Sequence, residues 1–572
     1  MKVWSLCSCT LVCGLALVST DCASRPVSEP PHLRKQGTAT QLIVDGKPFL
    51  ALSGELLNSS ASSVEHMKPI WPKLAAAGLN SVIAGVSWAQ VEPQEGKFDF
   101  SVLDGILRDA RSNNLRLMLI WFASWKNGYS SYPPDWAKKD FQRFPRVQIQ
   151  GGKTIELLSP LSDASRDADA RAFAALMRHV KEVDGQQHTV IMIQVENEVG
   201  VLLDSRDRSA VANQAFDGPV PKELMDYLQQ HKDTLAPEFR DVWKDAGFKT
   251  SGTWEQVFGK GRPANFEIPV RVDSPPYKPA DLDSWRQLRW PVDEIFMAWH
   301  YARYVNTVVE AGKKEYNIPM FVNGWLQQPN FPWPGVYPSG GPLPQVHDIW
   351  RAGAPSIDIL SPDLYLEYFA DVCARFTRNG NPLFIPETGA GAEGAAKVLY
   401  AFGRHDAIGF SPFGIEAHRA PEENLIGSYS IISQLAPLIV EHQGKGTMSA
   451  VLLTQDDSPQ RVRLGNHTIE ATFQFASHPG PRTARRPLPP AAAIFIMIGP
   501  DEYYVAGKGV SLTFSPNTPG PELDGLGTVE EGTFVNGRWV PGRQLAGDET
   551  IQGQTVSLWN KGIQRVTLYR YR

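Results

Sequence analysis

Cysteine is nearly absent from the body of this 572-residue chain. Four of its five cysteines (Cys7, Cys9, Cys13 and Cys22) lie within the first 22 residues, and only Cys373 remains beyond them. With the first 20 residues removed as a leader, an internal disulfide is excluded unless Cys22 survives and pairs with Cys373, so stability must come from core size. Long apolar runs are also missing. After residue 20 no stretch reaches the roughly 18 apolar residues that would read as a membrane-spanning helix. Charge of one sign is missing too. The 56 Lys and Arg against 61 Asp and Glu give a net charge of −5, which argues against a nucleic-acid partner. Neither H-E-x-x-H nor C-x-x-C occurs, so the sequence gives no reason to expect a metal or another cofactor. What is abundant is apolar material, at 42% of residues, together with 16 Trp and 45 Pro. That supports a large folded core, and the indoles are either core or flat platforms for a ligand.

Residues 1–20 carry Lys2, then a mostly apolar stretch, then small residues, the pattern of a secretory signal peptide. The protein is therefore expected to be exported, to a periplasm or the outside. Lipid attachment at Cys22 is disfavoured by Asp21 just before it. Residues 21–38 are Pro-rich and polar and read as a linker.

The next 400 residues repeat one unit, a short apolar run followed by a helical stretch. The runs are 49–57, 80–88, 116–125, 188–198, 318–325, 357–366, 382–389 and 407–416. Most are apolar nearly throughout, as suits parallel strands buried on both faces. Eight β-then-α units predict a (β/α)8 TIM barrel over 39–444 rather than an open doubly wound sheet. Residues 200–292 are too long for one loop and read as a helical insertion. Residues 326–344 form a Pro/Gly-rich loop carrying Phe331, Trp333 and Tyr337. From 445 to 572 short alternating runs predict a smaller all-β domain.

In such a barrel the chemistry gathers at the C-terminal strand ends. Those ends carry Glu55, Trp88, Glu92, Ser124, Trp125, Asn197, Glu198, Asn323, Trp325, Tyr365, Glu387, and Phe413 or Glu416. Glu198 ends the fourth strand and Glu387 the seventh, on opposite sides of an eight-strand ring. Two facing carboxyls suit glycoside hydrolysis, in which one protonates the leaving oxygen and the other, ionised, meets the anomeric carbon. A bell-shaped pH–rate curve is expected from such a pair. Trp88, Trp125 and Trp325 are candidate sugar-stacking rings, with Trp121, Trp333 and Tyr337 behind them. G-A-G-A-E-G (389–394) matches a dinucleotide fingerprint, but at the seventh strand it reads as a helix-opening turn.

Q-V-E-N-E-V-G (194–200) resembles the Q-[IV]-E-N-E-[YF]-G segment of glycoside hydrolase family 35, the β-galactosidases of the large (β/α)8 glycosidase clan. G-L-N-S-V-I-A-G-V-S-W-A-Q-V-E-P-Q-E-G-K-F-D-F (78–100) is similar to its second-strand segment, with Val91 in place of the common His. S-G-E-L-L (53–57) is like the start of its first-strand motif. The resemblance implies that Glu198 is the acid/base, Glu387 the nucleophile, Asn197 the partner of the sugar 2-hydroxyl, and Tyr365 a donor to the nucleophile. It also implies a retaining exo-glycosidase for terminal β-galactose, with xyloglucan side chains as a natural source. Departures mark a divergent branch: Ala123-Ser124-Trp125 stands where the family has A-E-W, and the first-strand His-Tyr pair is absent. Two alternatives stand beside this one. One is a clan relative for another sugar, and the other is a non-catalytic carbohydrate-binding protein, which would not need both Glu198 and Glu387.

Overall fold

The computed structural model describes residues 1, 29–266, 268, 288–328, 332–417, 423–454, 459–474 and 489–572. Apart from Met1, the expected leader (1–20) lies outside these residues, as do Cys22 and Phe331. Cys373 is buried as a free thiol. Among the described residues no helix is long and apolar enough to cross a membrane.

Eight parallel strands form one sheet. They are β1 (Ala51–Leu52), β2 (Ser81–Ser87), β3 (Arg116–Lys126), β4 (Val190–Asn197), β5 (Met320–Trp325), β6 (Ile359–Leu364), β7 (Phe384–Thr388) and β8 (Gly409–Pro412). From β2 onward each pairs with the next, and β8 pairs with β1. The ring closes between its ends: Ile83 N donates to Gly54 O at 2.9 Å, and Leu56 N donates to Ile83 O at 3.0 Å. The barrel strands are buried almost throughout, β4 at every position, as their unbroken apolar runs require. The interior is filled by Ile83, Met118, Ile120, Phe321, Ile359 and Phe384, so it is a packed core.

Leu42 and Val44 join that interior cluster from an antiparallel three-stranded sheet formed by His32–Gln36, Ala39–Val44 and Lys47–Phe49. This corrects the linker reading of 21–38 at its C-terminal end. His32–Gln36 pairs antiparallel with Ala39–Val44, whose residues are all buried.

Helices follow the strands: α1 (Ser101–Ser112), α2 (Asp163–Asp184), α3 (Pro291–Glu315), α4 (His347–Gly353), α5 (Phe369–Phe376), α6 (Gly391–His405) and α7 (Glu423–His442). In α2, the Ser162 hydroxyl caps Ser165 N, and Ala168, Ala172, Leu176 and Val180 fall four apart on one buried stripe. The described part of the insertion after β4 carries the helices Ala210–Asp217, Lys222–Gln230, Pro237–Asp245 and Trp254–Phe258, joined by turns and irregular segments.

Beyond α7 the strands are antiparallel, in a six-stranded and a four-stranded sheet. Along Met448–Leu453 the period of two divides the side chains. Val451 and Leu453 face a second core between the two sheets, while Ala450 and Leu452 join the core of the barrel. Ile494 and Ile496 do the same on the neighbouring strand Ala491–Gly499. The six-stranded sheet therefore packs against α6. A Cβ at Gly403 of α6 would stand 2.7 Å from Ile494 Cγ1 and 2.8 Å from Ala450 Cβ. Gly403→Leu is expected to lower stability by about 1–3 kcal/mol through overpacking. Thermal unfolding would check this, and an unchanged Tm would show that the contact is not close-packed.

Candidate active site

The C-terminal ends of β4, β6 and β7 converge on three carboxyl groups. One oxygen from each of Glu198, Asp363 and Glu387 lies within 4.8 Å of the other two. Glu198 and Glu387 are the strand-end pair expected from sequence. Asp363 is an addition, standing in register with Glu387 across the β6–β7 pair.

Local backbone aims these groups. At the end of β4 the strand alternation breaks, because Glu196 and Glu198 take left-handed φ values of 62° and 45°. The Glu196 carboxyl turns to β3, where it accepts Ser124 N (3.0 Å) and Trp125 N (2.8 Å). Asn197 and Glu198 are held by β5: Asn323 Oδ1 accepts Glu198 N at 3.0 Å, and Asn323 Nδ2 donates to Asn197 Oδ1 at 3.1 Å. The same Nδ2 donates to Asp363 Oδ2 at 2.6 Å. Asn197 Oδ1 also accepts Gln194 Nε2 (2.9 Å), while its Nδ2 donates to Asn127 Oδ1 (3.1 Å). Tyr365 donates its hydroxyl to Glu387 Oε1 at 2.6 Å.

Electrostatics divide the carboxyls. Burial, followed by the Glu387 charge, raises Glu198 to about 7, with Lys126 and a hydrogen bond from Asp363 pulling the other way. Burial, then the charges of Glu387 and Glu198, hold Asp363 well above the usual carboxylate range. Glu55 is held high in the same way, by burial and then by Glu387. It bridges β2 and Phe413 at the ring closure, and its Oε1 has no hydrogen-bond partner. Burial and the adjacent Glu387 also push the Tyr365 phenol up, so it remains a donor. Three oxygens at this spacing suit either a hard cation or a shared proton. The donors that Asn323 and Tyr365 already supply to Asp363 and Glu387 favour the proton.

Two expected sugar platforms are corrected. Trp88 is 0% exposed; its indole donates to Glu92 Oε2 at 2.7 Å, and its ring meets Trp136 edge-on. Trp125 is also 0% exposed, packed on Tyr301 and Tyr304 with its indole bonded to Leu158 O. The β3–β4 register shifts between Trp121 and Lys126, and this irregularity turns Trp125 toward α3. Trp121 is buried as well and donates to Asp169, and Tyr337 is buried on Glu294. Trp325 and Trp333 are partly exposed, and Trp325 ends β5 in register with Asp363. Ser124 bonds Asp169 and Tyr304.

Sequence reasoning missed Asp363 and Lys126. The signal for Asp363 was an acid inside the apolar run I-D-I-L-S-P-D-L-Y-L, two residues before Tyr365. Lys126 ends β3, and its charge acts on both Glu55 and Glu198.

Residues 60–258 match the family model of glycoside hydrolase family 42, described as β-galactosidase, and residues 425–557 match a domain of unknown function, DUF5597. A curated β-galactosidase of Xanthomonas manihotis is 32% identical over 202 residues, 34% of this chain and 30% of that protein. The chain thus spans under a third of that relative. Among solved structures, β-galactosidase from Bacillus circulans sp. alkalophilus aligns over 68% of this chain and 57% of its own at 16% identity and a TM-score of 0.44. The catalytic domain of a β-amylase from Paenibacillus polymyxa aligns over 67% and 98% at 12% identity and 0.44. An exo-β-1,4-mannosidase from Opitutaceae bacterium strain TAV5 aligns over 64% and 52% at 14% identity and 0.33. The resemblance to β-galactosidases implied by the motifs is shown, and the matching model is that of family 42. It includes Glu198 and ends before Glu387.

Trp125→Ala is expected to cost about 3–5 kcal/mol of stability, because it empties a core site. Denaturant titration would check this, and a loss of sugar binding at full stability would restore the platform reading.

Proposed function

We propose that this chain is a retaining exo-β-galactosidase that releases terminal β-D-galactosyl residues from oligo- or polysaccharides. The observation that carries the reading is the close approach of Glu198 and Glu387, with oxygens within 4.8 Å, at the ends of β4 and β7. Retaining enzymes hold their carboxyls about 5–5.5 Å apart, and inverting ones about 6.5–9.5 Å to admit a water. The spacing here supports double displacement. Glu387, oriented by Tyr365, attacks the anomeric carbon while Glu198 gives its proton to the departing oxygen. Water then enters, gives a proton back to Glu198, and releases galactose from Glu387. The resemblance gives Asn197 the sugar 2-hydroxyl as its partner, and Trp325 is the remaining strand-end ring for the sugar's apolar face.

Galactose and the exo mode follow from the resemblance, as does xyloglucan as the natural source. Export to a periplasm or the outside follows from residues 1–20. Retention of both carboxyls argues against a binding-only protein.

The test is hydrolysis of a panel of aryl β-glycosides. Galactoside is expected to be cleaved, and Glu387→Ala to reduce turnover to background. Cleavage of a different sugar alone would overturn the galactose assignment but leave the mechanism standing. Glu198→Ala is expected to lose about 10²–10⁴-fold on leaving groups that need a proton, and much less on a dinitrophenyl galactoside. Equal losses on both would refute its role as the acid.

The pH dependence has a defined sign. Glu198 must carry its proton in the first step and titrates at about 7. kcat/KM is therefore expected to fall as pH rises through neutrality. A profile flat from about pH 6 to 9 would assign the acid to another group.

A further inference from the structure

Three carboxyl groups converge at the barrel mouth within reach of the charge of a fourth, Glu55, with little cationic charge to offset them. Asp363 on β6 lies close to Glu198 on β4 and Glu387 on β7, with oxygens within 4.8 Å, and the charge of Glu55 beyond β1 acts on it as well. Tyr365, on its own strand, serves Glu387. Lys126 on β3 acts on Glu198 and Glu55, and Glu416 beyond β8 acts on Glu55. Carboxylates this close in a dry site cannot all be ionised. Glu387 Oε1 accepts the Tyr365 hydroxyl. The two oxygens of Asp363 are treated differently. Oδ2 accepts the short bond from Asn323, as a carbonyl oxygen would. Oδ1 is buried, and no fixed donor among the described residues reaches it. An oxygen without a donor, set against a neighbouring carboxyl, is where an acid O–H belongs.

We propose that Asp363 is a positioning residue that stays protonated and donates its Oδ1–H to Glu198. The inference rests on the glycosidase reading above and adds a group to it. Asp363 exchanges no proton with substrate. Its O–H stabilises the carboxylate form of Glu198 and fixes that carboxyl's direction. The acid/base must lose its proton in the first step and recover it from water in the second. Without a donor, burial beside Glu387 would hold the Glu198 proton too firmly to let it cycle. The hydrogen bond from Asp363 lowers Glu198 toward neutrality, in keeping with its value of about 7.

The experiment compares Asp363→Leu with Asp363→Asn. Leucine removes the donor, so the Glu198 carboxylate is less stabilised and keeps its proton to higher pH. The alkaline limb of kcat/KM is expected to move up by about one pH unit, with kcat down at least tenfold on the order expected for a lost charged hydrogen bond. Asparagine supplies an N–H in the same place and remains neutral, so it is expected to return the limb to the wild-type position. If Asp363 is ionised instead, Asp363→Asn deletes a negative charge and moves the limb down by a unit or more, which overturns the proposal.

A second readout needs no substrate. Infrared difference spectra of wild type against Asp363→Asn at about pH 8 are expected to show the loss of one protonated carboxylic C=O band. Loss of a carboxylate band instead sinks the proposal, even if Asp363→Leu fails to fold. Should the wild type hydrolyse no glycoside, the reading of function fails, and the infrared result still decides the protonation of Asp363.

Discussion

Concentrating carboxyl groups where water is scarce is the constraint around which the rest of this molecule is arranged. Each buried carboxyl is costly unless it is paired, hydrogen-bonded or neutral. The barrel uses all three means at once. Asn323 accepts from Glu198 N and donates to both Asn197 and Asp363, so one amide ties β4, β5 and β6 together. Tyr365 holds Glu387, and Glu196 is absorbed by two backbone N–H groups of β3. The left-handed φ at Glu196 and Glu198 is the conformational cost, and it is tolerated because the surrounding bonds over-determine it.

Division of protons follows from that arrangement. A glycosidase acid and its nucleophile need environments that push their protonation apart. Burial raises both Glu198 and Asp363, and Glu387 adds its charge to each. A fixed hydroxyl reaches Glu387, while the groups that moderate Glu198 are Lys126 and Asp363. Lys126 sits just past the position where the family motif has a glutamate that this chain lacks, two residues beyond Ser124. Its ammonium is the counter-charge that sequence comparison at Ser124 alone would overlook.

The barrel was legible because buried parallel strands leave unbroken apolar runs, and all eight runs became strands. The paired glutamates were legible because a charge ending such a run has few structural explanations. The indoles were not. Trp125 stands one residue before the end of β3 and Trp88 directly follows β2, but a register irregularity in β3 and the short helix Trp88–Val91 turn both rings into the core. Strand position predicts a side chain's face only while the alternation holds. Asp363 escaped for the opposite reason, since it lies inside an apolar run rather than at its end. The strand at 32–36 was hidden because His32, Arg34 and Lys35 give it the composition of a linker.

The C-terminal sheets bear on the site through α6. That helix opens at Gly391, with φ near 90°, three residues after β7 ends. The left-handed glycine lets the chain leave the Glu387 strand and enter the helix without strain. From there α6 runs down to Gly403, whose missing side chain admits Ile494 and Ala450 of the six-stranded sheet. The helix also packs against α7, where Ser428 bonds Ala395 O and Tyr429 bonds the carbonyls of Ser53 and Phe410. Tyr429 therefore ties the end of β1 to β8. The strand bearing Glu387 is thus braced on its outer side by the same core that seats the second domain. A rigid support of this kind is what holding two carboxyls at a fixed separation requires.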